Sequence, residues 1–132
     1  NGTISVDNTD TILLVKNNSD TSLHIEGVSF SNGATTTVIS VHLPTSEVTV
    51  TGTTVTGTNL NTGKSGVAEA SAASDETNNT QGNILRTVMM GADNKHTELT
   101  PGLILAKNKS IGIDTENTQN RISATIIGHY AD

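Results

Sequence analysis

Residues 101–115 read PGLILAKNKSIGIDT: a turn, an apolar run, a polar Lys-Asn-Lys-Ser break and a second apolar run. Two short apolar segments joined by a polar reversal make the pattern of strand, turn and strand, and no residue in the stretch is chemically reactive. A near copy lies upstream, since LLVKNNS at residues 13–19 matches ILAKNKS at residues 104–110 at most positions. In each copy an apolar strand ends in Lys-Asn, turns through polar residues and re-enters a strand that carries Ile25 or Ile113. Two similar hairpin corners in one antiparallel sandwich produce such a repeat.

The rest of the chain extends this reading. Thr, Ser, Asn and Gly are abundant and β-branched residues are prominent, a composition that favours many short strands joined by polar turns. Strands are expected at Thr3–Val6, Thr11–Lys16, Ser22–Phe30, Thr35–Leu43, Glu47–Thr51, Thr53–Gly57, Gly66–Ala72, Ile84–Met90, Leu103–Ala106, Ser110–Asp114 and Arg121–Gly128. Half-buried strands alternate apolar and polar side chains, as in Leu23 and Ile25, in Ile39, Val41 and Leu43, and in Ile122, Ala124 and Ile126. Asn32-Gly33 is the preferred pair for a type I′ hairpin, and Pro101-Gly102 marks a further turn. Asn17–Asp20 and Lys107–Lys109 are polar reversals. Ile84, Leu85, Val88 and Met89 also fit helical spacing, with Asn83 as N-cap and Gly91 as terminator, so a short helix competes with a strand there. Ser74–Gly82 holds no aliphatic residue and reads as an exposed loop, too polar to pack inside the domain. The expected fold is an all-β antiparallel β-sandwich, jelly-roll-like, in a single domain over residues 1–132. Strand order does not follow from these signals.

Composition narrows the function. The chain has 132 residues, 33% of them hydrophobic, and adding its 12 glycines still leaves the apolar total below the usual 45–50%. The core is therefore thin and rests on Ile, Leu and Val, because Phe30 and Tyr130 are the whole aromatic stock. A net charge of −6 argues against nucleic acid or an anionic membrane as partner. No cysteine means no disulfide or thiolate chemistry, which suits a reducing cytoplasm. No apolar run approaches the roughly 20 residues that span a bilayer, so a soluble protein is expected. The start at Asn1 leaves room for a preceding arm or domain.

Catalytic and ligand motifs thin out on inspection. GTNLNTGKS (Gly57 to Ser65) looks like a phosphate-binding P-loop, but five residues separate Gly57 from Gly63 where the motif requires four. None of His24, His42, His96 and His129 stands at metal-ligand spacing from another, although His24 and Glu26 share a strand face. Asp7, Asp10, Glu47, Glu69, Asp75, Glu76, Asp114 and Glu116 are scattered, and a glycosidase needs two carboxylates facing across a cleft. No GxSxG elbow is present. A small hydrolase would require a concave carboxylate cluster or a His-Asp pair brought together by the fold. The sequons at Asn1, Asn17, Asn78 and Asn108 are what so Asn- and Thr-rich a chain produces by chance. No enzyme activity, cofactor or metal is expected.

TILLVKNNSDTSLHIEGVSF (residues 11–30), VTGTNLNTGKSGVAEASA (55–72) with its Asn59-Leu60-Asn61, and LILAKNKSIGIDT (103–115) followed by RISATIIGHY (121–130) together resemble the small jelly-roll-like cement or decoration proteins of tailed bacteriophages. The resemblance implies a structural role on the virion. The protein would be made in the host cytoplasm, sit on the outer capsid surface bound to the major capsid protein, stabilise the shell, and form a homotrimer. Sandwich-end loops suit such contacts, which nominates Ser74–Gly82: Asp75 and Glu76 to meet basic capsid residues, Asn78 and Asn79 to hydrogen-bond on docking. The alternative is a host-recognition or glycan-binding β-domain of a head or tail fibre, weakened by the scarcity of aromatic faces for sugar rings.

Overall fold

A computed structural model describes residues 2–5, 11–33, 35–57, 69–74, 76, 82–115 and 121–131. The strands are β1 (Gly2–Ser5), β2 (Thr11–Asn17), β3 (Ser22–Ser31), β4 (Thr37–Leu43), β5 (Thr53–Thr54), β6 (Ala70–Ser74), β7 (Asn83–Met90), β8 (Lys95–Leu105), β9 (Ser110–Thr115) and β10 (Arg121–Ala131). They form a four-stranded sheet in the order β1-β10-β3-β8 and a six-stranded sheet in the order β5-β6-β2-β9-β4-β7. Every pairing is antiparallel. The protein is an all-β antiparallel sandwich.

Alternation places the core. Leu23, Ile25, Val28 and Phe30 of β3, with Ile122 and Ala124 of β10, meet Leu13 of β2, Ile39 and Val41 of β4, and Ile111 and Ile113 of β9. Each aliphatic side chain so buried stabilises by roughly 1.5–3 kcal/mol. Between Asn83 and Met90 the chain is a strand, not a helix. Val88 and Met90 pair with Ile39 and Thr37 of β4, and that ladder overrides the local helical spacing.

Eight strands are nested by sequence. β1 pairs with β10, β2 with β9, β3 with β8 and β4 with β7, so the first half of the chain runs back along the second. β5 and β6, inserted between β4 and β7, extend the larger sheet beyond β2.

This nesting corrects the expected hairpins. β8 and β9, either side of Lys107–Lys109, lie in different sheets, as do β2 and β3 either side of Asn18–Thr21. The repeated segments are corners at which the chain crosses between sheets, and the two corners lie against each other. Asn17 N–H donates to Lys109 O at 3.0 Å and Asn108 N–H to Asn17 O at 2.8 Å. Asn17, fully buried, donates through Nδ2 to Thr21 O and Leu105 O (3.0 and 2.9 Å) and accepts from Ser19 N–H at 2.9 Å. Asn108 takes the left-handed conformation that the second corner needs, at φ 64°.

Asn32-Gly33 likewise joins β3 to β4 across sheets and is not a type I′ hairpin. Among the described residues positive φ falls at Asp93, Asn108 and Gly102 only. The Asn32 amide donates to Thr35 O and Gly91 O instead, and Asp93 N–H donates to Gly33 O at 2.8 Å, fastening this crossover to the one between β7 and β8. Pro101-Gly102 is no turn either. β8 continues through it, with Ile25 opposite Leu103 and Gly27 opposite Leu99, so the extra residues form a bulge on an edge strand, where a missing proline N–H costs no ladder bond.

Glu47–Thr51 is not a strand, and the expected Thr53–Gly57 strand shrinks to Thr53–Thr54. Residues 44–52 instead form a strap fastened to the outward side of the six-stranded sheet. Its backbone groups are taken by side chains rather than by a neighbouring strand. The Lys16 ammonium donates to Val48 O at 3.0 Å and pairs with Glu47 at 2.8 Å, and Glu76 holds the far end.

Candidate functional site

The segment Ser74–Gly82 is not uniformly exposed. Ser74 ends β6 in a buried position, and Glu76 has 0% exposure. Its backbone bridges Thr11, while its carboxylate accepts from Thr51 N–H (2.6 Å), Gly52 N–H (2.8 Å) and Thr51 Oγ1 (2.8 Å). A carboxylate with three such donors is satisfied in place. Glu76 is therefore a strap anchor, and the expectation that it meets a partner at the surface is corrected. Asp75, Asn78 and Asn79 lie outside the described residues, as does the P-loop look-alike beyond Gly57.

The fold does bring a His-Asp pair together. His42 Nε2 lies 2.8 Å from Asp114 Oδ2, on the outward face of the six-stranded sheet where β4 meets β9. The imidazole has no exposed surface, and Leu14 on the same face is also fully buried. An imidazole so enclosed meets no substrate, and its geometry is that of a buried cross-strand tie.

The outward face of the four-stranded sheet carries the other histidines that share a surface. His24 and His129 stack with ring centroids 5.3 Å apart, and His129 Nδ1 lies 2.9 Å from Glu26 Oε1. The face expected for His24 and Glu26 thus gains a second imidazole from β10. Among the described residues no group of three or more His, Asp or Glu is placed to hold a metal ion. Further along, Ser123, Ser31 and Lys95 form one cross-strand row and Thr125, Ser29 and Thr97 the next, lining a shallow polar depression with His96 and Phe30.

At the side where β7 of one sheet approaches β8 of the other, Arg86 Nε reaches Glu98 Oε2 at 3.0 Å, and His96 Nε2 touches the same carboxylate at 3.3 Å. His96 in turn stacks on Phe30, with centroids 5.1 Å apart. Outside this bridge β7 is apolar and open: Ile84 is 55% exposed, Leu85 46% and Met89 77%. The exposed apolar edge was not apparent in the sequence, where the same segment fitted both a strand and a short helix. Its one available signal was the competition between the two periods.

No protein-family model, curated protein or solved structure matches the chain.

Proposed function

We propose that this chain is a virion structural protein, a decoration or cement protein that binds the outer surface of a tailed-bacteriophage capsid and stabilises the shell, with the major capsid protein as partner. The observation that carries the reading is the nested pairing of β1 with β10, β2 with β9, β3 with β8 and β4 with β7. A long antiparallel hairpin wrapped into two sheets has this order, which supports the jelly-roll-like fold implied by the resemblance. Fold does not imply function. A second support is the thin aliphatic core together with apolar side chains left at an edge, features that suit a protein completed by its neighbours.

The test is to add the purified chain to undecorated capsids and measure occupancy and particle melting temperature. Saturable occupancy with a raised melting temperature is expected; bare capsids of unchanged stability overturn the proposal. The contact is assigned to the loop through a variant in which Asp75, Asn78 and Asn79 become Ala while Ser74 and Glu76 are kept. Its affinity is expected to fall about tenfold or more, and undiminished occupancy removes the loop from the contact.

A further inference from the structure

Two imidazoles share the outward face of the four-stranded sheet. The pairing of β10 with β3 sets His129 directly opposite His24, and opposed side chains on antiparallel strands start from Cβ atoms about 4.5–5.5 Å apart. Gly128 tightens this pairing, since its backbone approaches His24 O so closely that a Cβ would sit 2.5 Å from it. A bulge brings a carboxylate to the pair. Glu26 is the extra residue of β3 between Ile25 and Gly27 in its pairings with both neighbours, and its Oε1 lies 2.9 Å from His129 Nδ1. A carboxylate only accepts, so Nδ1 carries the hydrogen and the neutral ring presents Nε2 as a lone pair. A carboxylate orients a metal-binding histidine from behind in this way.

We propose that His24 and His129 form a surface site for a divalent transition-metal ion, Cu²⁺ in preference to Zn²⁺, with Glu26 as a positioning residue. Metal–imidazole bonds of about 2.0–2.1 Å put each ring centre about 3.2 Å from the ion, so two neighbouring ligands have their centres about 4.5–5.2 Å apart. The observed ring centres, 5.3 Å apart, lie just outside that span. The planes are 19° from parallel, so the partly exposed His24 ring turns about its Cβ–Cγ bond to aim a nitrogen at the ion that His129 Nε2 holds. Among the described residues no third His, Asp or Glu is placed to join them, and water fills the remaining positions of an open, two-ligand site. Imidazole ligands without thiolate, together with the general order of divalent affinities, select Cu²⁺, and a net charge of −6 draws cations to the molecule. The site stands independently of the capsid proposal.

Calorimetric titration of the chain with Cu²⁺ is expected to show one ion bound per chain, more tightly than Zn²⁺, and electron paramagnetic resonance of the loaded protein to show hyperfine splitting from two imidazole nitrogens. That splitting is read on the parent chain and needs no variant. His24→Ala and His129→Ala, each checked for folding by circular dichroism, are expected to weaken binding about tenfold or more and to remove the two-nitrogen pattern. Glu26→Gln is expected to keep the pattern and the thermal midpoint while lowering affinity about tenfold; affinity equal to that of the parent chain overturns its positioning role. No stoichiometric Cu²⁺ uptake, a one-nitrogen pattern, or uptake that survives both His24→Ala and His129→Ala undiminished overturns the site.

Discussion

At the scale of single residues, two buried polar groups behave oppositely. Glu76 is fully satisfied and serves as an anchor, so removing it strands the N–H groups of Thr51 and Gly52. Glu76→Ala is expected to lower stability by about 2–4 kcal/mol, measured by urea unfolding, and to raise amide exchange across residues 44–52; unchanged exchange there contradicts the anchoring role. Tyr130 is the converse. Its hydroxyl is buried and finds no hydrogen-bond partner among the described residues, and burial, with Glu69 adding to it, raises its pKa above the ordinary value. Below pH about 10 the phenol is neutral in both states and its contribution is intact. As pH rises further the unfolded chain ionises first, and stability falls until the folded-state pKa is reached. Tyr130→Phe is expected to be neutral or stabilising by up to about 1 kcal/mol at neutral pH and to flatten this alkaline loss. A large destabilisation or an unaltered alkaline limb in chemical denaturation counts against it.

At the scale of elements, most strands were legible from alternation, and the connections between them were not. Asn32-Gly33 is a strong local hairpin signal, yet its backbone serves a crossover whose far side is the β7–β8 connection, over fifty residues away. The bulge of β3 against β10, with Glu26 as its extra residue, makes the same point. β10 shifts register between Ile127 and Gly128, and at Gly128 a Cβ would sit 2.5 Å from His24 O and 3.4 Å from the Ile25 Cδ1. Only a residue without a side chain lets the two backbones approach so closely. Gly128→Ala is therefore expected to cost about 1–3 kcal/mol, with amide exchange rising in β3 and β10 before the six-stranded sheet. A thermal midpoint equal to that of the parent chain refutes the close-approach account.

At the scale of the whole molecule, the nested order pairs the ends of the chain first with last and sends its middle to the two opposite edges of the larger sheet, β4 and β7 to one and the β5–β6 insertion to the other. The sequence by itself determined that the protein is an all-β sandwich with a thin aliphatic core, since alternation at period 2 and turn-forming residues are local properties carried by neighbours in the chain. It also marked Asn17 and Asn108 as equivalent corner residues through the repeat. Only the tertiary structure decided that those corners cross between sheets and brace one another, that Glu76 is buried under a strap, that His42 meets Asp114, and that Ile84, Leu85 and Met89 face outward. Each of these depends on which distant strand or strap lies beside the residue, and pairing across the chain leaves no mark in the order of residues on either side of it.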